Sequence, residues 1–67
     1  MRKQHGITFA DFTAEGETGY FTVIPEGNKL NVLVTYCDRT KRLCLDDTDD
    51  VVSYISKAIF AKEIKIL

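Results

Sequence analysis

The chain has 67 residues, room for one domain and not for two. It is 45% hydrophobic and 28% charged, a globular composition that excludes an intrinsically disordered chain. Nine basic and ten acidic side chains leave a net charge of −1, which excludes an overall cationic field for nucleic acid or anionic lipid.

The N-terminal stretch Met1-Arg2-Lys3-Gln4-His5 is basic, but no apolar segment of signal-peptide type follows it. No apolar run approaches the length of a membrane span. The expectation is a cytoplasmic protein with no membrane partner.

Ile7–Phe12 is the first strand candidate, with imperfect alternation of apolar and polar residues. Thr13–Gly19 is polar, carries two glycines and is expected to be a loop. Tyr20–Ile24 is aromatic and β-branched, as strands prefer, and Pro25–Asn28 breaks it. Leu30–Tyr36 is the strongest strand in the chain. Arg42–Leu45 is expected to be a short returning strand.

Two turns set the registers. A Gly27-Asn28 loop suits residues that tolerate positive φ, and it places Glu26 opposite Lys29, Val23 opposite Val32 and Phe21 opposite Val34. An Arg39-Thr40 loop pairs Asp38 with Lys41 and Tyr36 with Leu43. One face then collects Phe21, Val23, Leu30, Val32, Val34, Tyr36, Leu43 and Leu45. Two independently chosen turns agree on that face, which supports an antiparallel meander.

The period changes after the acidic run Asp46–Asp50. Val51 or Val52, Ile55, Ala58 and Ile59 form a helical stripe, with Asp47 or Thr48 as the expected N-cap. The tail, Glu63–Leu67, alternates like a strand yet is compatible with a longer helix. The fold class is α+β: a small meander of three to four strands in one domain, residues 1–67, packed on one face by a single C-terminal helix. At the level of fold alone it is similar to small regulatory and inhibitor proteins, which assigns no function by itself.

Little in the chain carries chemistry. The acidic run lacks the glycine and the distal glutamate of a calcium loop, and helix capping accounts for its Asp and Thr residues. Cys37 and Cys44 lie seven positions apart, outside zinc-knuckle spacing, and two cysteines make no disulfide framework. In the preferred register Cys44 lies opposite Thr35. A slip to a Thr40-Lys41 loop would set Cys37 against Cys44, but free, partly buried thiols are the expectation. His5 is the sole imidazole, so no Ser-His-Asp or Cys-His arrangement is available. Asp11 with Glu15 or Glu17 reads as solvated carboxylates, and the glycines fit no phosphate-binding fingerprint. No catalysis, metal or cofactor is expected.

Two binding surfaces are. Tyr20, Thr22, Ile24, Leu33 and Thr35, with Cys37 and Cys44, point away from the helix and form a face less polar than solvent favours. A non-catalytic protein-binding or regulatory module, meeting another protein or a second copy of itself, is the leading reading. The alternative is a nucleic-acid-binding regulator that uses the basic hairpin tip Arg39, Lys41 and Arg42.

Overall fold

The computed structural model describes residues 2–4 and 6–67, with side chains from Gly6 onward. Strands β1 (Arg2–Gln4), β2 (Ile7–Ala14), β3 (Glu17–Glu26), β4 (Lys29–Tyr36) and β5 (Arg39–Asp46) are followed by helix α1 (Val51–Ala58) and the two-residue β6 (Lys65–Ile66). The sheet is antiparallel throughout, in the order β1-β2-β3-β4-β5, with β6 also pairing β2. The class is α+β, but the meander has five strands rather than three or four.

The extra length comes from segments expected to be loops. Thr13 and Ala14 continue β2, and Glu17–Gly19 opens β3. The turn between them is only Glu15-Gly16, with φ of 51° and 81°. Positive φ at both central residues matches the right-handed twist of a hairpin, so two residues suffice. Gly19 is not a turn residue. It lies across from Phe12, and a Cβ there would sit 2.6 Å from the Thr35 carbonyl oxygen and 2.7 Å from Phe12 Cζ. Its missing side chain is the space that the Phe12 ring occupies.

The β3–β4 hairpin turns at Gly27-Asn28 and pairs Glu26 with Lys29, Val23 with Val32 and Phe21 with Val34, as the sequence indicates. The β4–β5 hairpin turns earlier than expected, at Cys37-Asp38 rather than Arg39-Thr40, with φ of 52° and 62°. Tyr36 pairs with Arg39 and Val32 with Leu43; the expected Asp38–Lys41 and Tyr36–Leu43 pairs do not form. The displacement preserves the alternation of faces, so the apolar face survives the wrong register. It also lengthens β5 and strengthens the ladder.

The core lies on one side of the sheet. Ala10, Phe12, Ala14, Phe21, Val23, Val32, Val34 and Leu45 are buried there together with Ile55 of α1. Leu30, Tyr36, Leu43, Val51, Ile59, Ala61, Ile64 and Ile66 pack against this cluster. The ring of Phe12 lies 6.1 Å from Phe21 and 5.8 Å from Tyr36, centroid to centroid, and is fully buried.

The acidic run does not begin the helix as expected. Asp50 is the N-cap, and neither Asp47 nor Thr48 holds that position. Residues 46–49 instead close the end of β5. Asp46 N–H donates to Asp49 Oδ2 (2.9 Å), Asp49 N–H donates to the Asp46 carbonyl (3.0 Å), and Asp47 N–H donates to the Asn28 carbonyl (3.1 Å). The turn consumes these residues before the backbone reaches helical geometry. Asp50 makes no side-chain bond to the helix backbone; it accepts the Ser53 hydroxyl at 2.9 Å.

The helix ends in a Schellman arrangement without glycine. Phe60 N–H donates to the Lys57 carbonyl and Ala61 N–H to the Ser56 carbonyl, while Phe60 takes a φ of +57°. The tail then settles as strand: Ile66 pairs with Phe12, and Leu67 N–H reaches the Asp11 carbonyl at 2.9 Å.

Candidate protein-binding surface

Strand alternation sends every second side chain of β2–β5 to the side opposite the core. The registers align these residues in rows. Phe9, Thr22, Leu33 and Arg42 form one row across the four strands. Asp11, Tyr20, Thr35 and Thr40 form the next, and Ile24, Asn31 and Cys44 a third. Tyr20, Thr22, Ile24, Leu33 and Thr35 are thus brought onto one continuous surface, as their alternation indicates.

Nothing among the described residues lies over this face. The one helix contributes Ile55 to the core, and the connecting residues Ile59, Ala61 and Ile64 pack on the same side. Tyr20 is 55% exposed, and Thr22, Ile24, Leu33 and Thr35 are half-buried by their lateral neighbours. The Thr35 and Thr40 hydroxyls share a hydrogen bond of 3.2 Å. A shallow depression of about 150 Å³ is lined by Ile24, Glu26, Asn31, Leu33 and Arg42. Charge sits at the flanks, with Asp11 on β2 and Arg42 on β5; the centre is uncharged.

The cysteines depart from expectation. Cys37 is in the β4–β5 turn rather than on the face, and Cys44 lies opposite Asn31 rather than Thr35. Both thiols are free, and both are exposed rather than partly buried.

The basic hairpin tip is divided by the sheet. Arg42 faces outward, whereas Arg39 and Lys41 belong to the core side of β5. Lys41 Nζ donates to the Ala58 carbonyl at 2.6 Å and stands 5.1 Å from the Phe60 ring centroid. The three cations therefore form no single stripe for a phosphate backbone.

Lys41 and Phe60 instead border a cleft of about 310 Å³ between the end of β4–β5 and the end of α1, floored by Val34 and Ile59. Phe60 is 90% exposed, the most exposed large apolar side chain among the described residues. The sequence gives no sign of this. Phe60 follows an apolar helical stripe, and only the left-handed backbone at the helix end turns it outward.

Two ionisable groups are shifted. Burial pushes the Tyr36 phenol above its ordinary value, with Cys37, Glu17 and Glu15 adding to the effect; its hydroxyl donates to the Ala14 carbonyl at 2.6 Å. The hydrogen bond and charge of Asp46 hold Lys29 above its ordinary value across the β4–β5 pair. Among the described residues no three His, Cys, Asp or Glu side chains gather to hold a metal ion, and His5 lies outside the described residues. Among the described residues no helix is long and apolar enough to cross a membrane.

Compared with known proteins, the chain matches no family model, no curated protein and no solved structure.

Proposed function

We propose that the chain is a small non-catalytic protein-binding module that meets its partner through the outer sheet face. The observation that carries this reading is the alignment of Phe9, Tyr20, Thr22, Ile24, Leu33 and Thr35 on a face with no covering element among the described residues. A sheet face left permanently in water is normally more polar. With α1 on the other side, a core of this size has nothing else with which to cover it. The partner implied has an apolar centre flanked by a cation facing Asp11 and an anion facing Arg42, so that charge at the rim fixes orientation.

The nucleic-acid alternative has less support, because Arg39 and Lys41 stand on one side of the sheet and Arg42 on the other. A salt titration separates the two, since phosphate contacts weaken steeply with salt and an apolar interface does not.

The direct test uses affinity capture from the native host with wild-type and Leu33→Glu baits. Leu33→Glu places a carboxylate in the centre of the face without touching the core. The expected result is loss of the specific partner with an unchanged far-ultraviolet spectrum. Equal capture by both baits would remove the outer face from the interaction.

A further inference from the structure

The two sides of the sheet end differently. The outer side of β2 is paired by β1 at Ile7–Phe9 and by β6 at Phe12–Thr13. β5, at the other end, has no strand beyond it among the described residues. Along β5 the even-numbered residues direct their backbone groups away from β4. Asp46 shows this directly, since both its N–H and its carbonyl are bonded to Asp49. By alternation the groups of Thr40, Arg42 and Cys44 face the open edge.

The sequence along that edge is a charge-inverted palindrome. From Arg39 it runs Arg-Thr-Lys-Arg-Leu-Cys-Leu-Asp-Asp-Thr-Asp to Asp49, centred on Cys44. We propose that β5 pairs antiparallel with β5 of a second copy about a two-fold axis through Cys44, joining two sheets into one. Cys44 then exchanges both backbone hydrogen bonds with the partner copy's Cys44. Arg42 faces Asp46 of the other copy, and Leu43 faces Leu45. Beyond Asp46 the chain turns back, so Asp49 lies beside Asp46 and sets a second carboxylate near the end of the other copy's β5.

The backbone ladder is short, because Asp46 already spends its N–H and carbonyl on Asp49. Side chains therefore carry the contact. The Asp46 carboxylate, which already accepts Lys29, gains a guanidinium on its free side. Any other register loses these matches: centring on Arg42 brings like charges together, and centring on Leu43 opposes Arg42 to Cys44. Basic residues on an open edge normally discourage pairing. Here Arg42 has Asp46 at the matching distance from Cys44 along the strand, and the turn after it gathers further carboxylates at the same end, so a second copy of this chain is the strand that fits. The two outer faces end on the same side of the joined sheet; the pairing draws Arg42 from the rim of each face and leaves the uncharged centre free.

The test is a complementation by mixing, read by size exclusion with light scattering at hundreds of micromolar. Wild-type protein is expected to be dimeric. Arg42→Asp sets like charges opposite Asp46 twice in each dimer, and Asp46→Arg sets them opposite Arg42 twice. Each variant alone is expected to dissociate about tenfold or more readily. An equimolar mixture restores both opposite-charge pairs and should dimerise as the wild type does. This also shows that both variants are folded. Opposed residues of a hydrogen-bonded pair have Cα atoms about 5.5 Å apart, within disulfide range. Diamide, which takes up the two electrons and two protons released when two thiols join, should therefore cross-link Cys37→Ser through Cys44 and leave Cys44→Ser uncrosslinked. A monomeric wild type, or a mixture that stays monomeric, would overturn the pairing.

Discussion

Single residues decide how closely β2, β3 and β4 approach one another. Gly19 is held by contact rather than by backbone angle: an added methyl meets the Thr35 carbonyl, the Phe12 ring and Tyr36 Cδ1 at 2.6, 2.7 and 3.1 Å. The first of these is backbone and cannot swing away. Gly19→Ala should therefore destabilise the fold by about 1–3 kcal/mol, the usual cost of overpacking, despite the better strand propensity of alanine. Urea denaturation checks this, and an unchanged midpoint would mean that Phe12 does not lie over the glycine. Tyr36 closes the same corner through its bond to the Ala14 carbonyl. Its folded pKa is raised because burial disfavours the phenolate. A raised value means that the protonated, hydrogen-bonded form is the stabilising one. Its contribution is complete below the ordinary value of 10.0 and is lost as pH rises through the higher folded value. Tyr36→Phe should lower the melting temperature at pH 7, and the gap between variant and wild type should narrow above pH 10. A gap constant across that range would separate the phenol from the effect.

At the scale of elements, α1 and the acidic turn before it have different tasks, and substitutions should tell them apart. Ile55 is the one helical side chain fully buried in the core. Ile55→Ala should cost about 2–5 kcal/mol, a large part of what so small a domain possesses. Thr48 is exposed and does not cap the helix, so Thr48→Ala should stay within about 0.5 kcal/mol of wild type. Guanidinium titrations of the two variants give the comparison; a large loss at Thr48 would restore it as a cap. The helix itself was legible because Ile55, Ala58 and Ile59 recur at helical spacing. Its cap was not, since several adjacent residues all have good capping chemistry and the hydrogen bonds of the β5 end chose among them. The β3–β4 hairpin was legible because Gly27-Asn28 stands between two strongly patterned strands. The β4–β5 turn was not: Cys37 and Asp38 carry no strong turn signal, and pairing along the whole of β5 outweighed local preference. The outer face survived that error because the displacement kept every residue on its side of the sheet.

At the scale of the whole molecule, the sheet contains more of the chain than the sequence announces, because its outer parts depend on distant partners. Residues 13–19 read as polar loop, and only their placement around Phe12 and Gly19 makes strand of all but the Glu15-Gly16 turn. The tail is ambiguous by itself, and pairing with β2 resolves it. β6 therefore acts as a closure. Ile66 pairs with Phe12, the Leu67 amide donates to the Asp11 carbonyl, and Ile64 and Ile66 pack against the core. Removing residues 65–67 takes away part of the burial of one isoleucine and the hydrogen bonds that pair it with β2. Burying an aliphatic side chain contributes about 1.5–3 kcal/mol and each hydrogen bond a further ~1 kcal/mol. With Ile66 only half-buried, the truncated chain should lose about 2–3 kcal/mol on this reckoning. It should also acquire a second behaviour. The edge of β2 at Phe12–Thr13 would be left open, with backbone groups free to pair beside the most buried ring of the core. The truncated protein should form assemblies larger than a dimer as its concentration rises, and Arg42→Asp at the opposite edge should not prevent their first step. Light scattering on the truncated chain, with and without Arg42→Asp, makes the measurement. A truncated chain of unchanged stability and unchanged size would show that β2 is protected by something other than the tail.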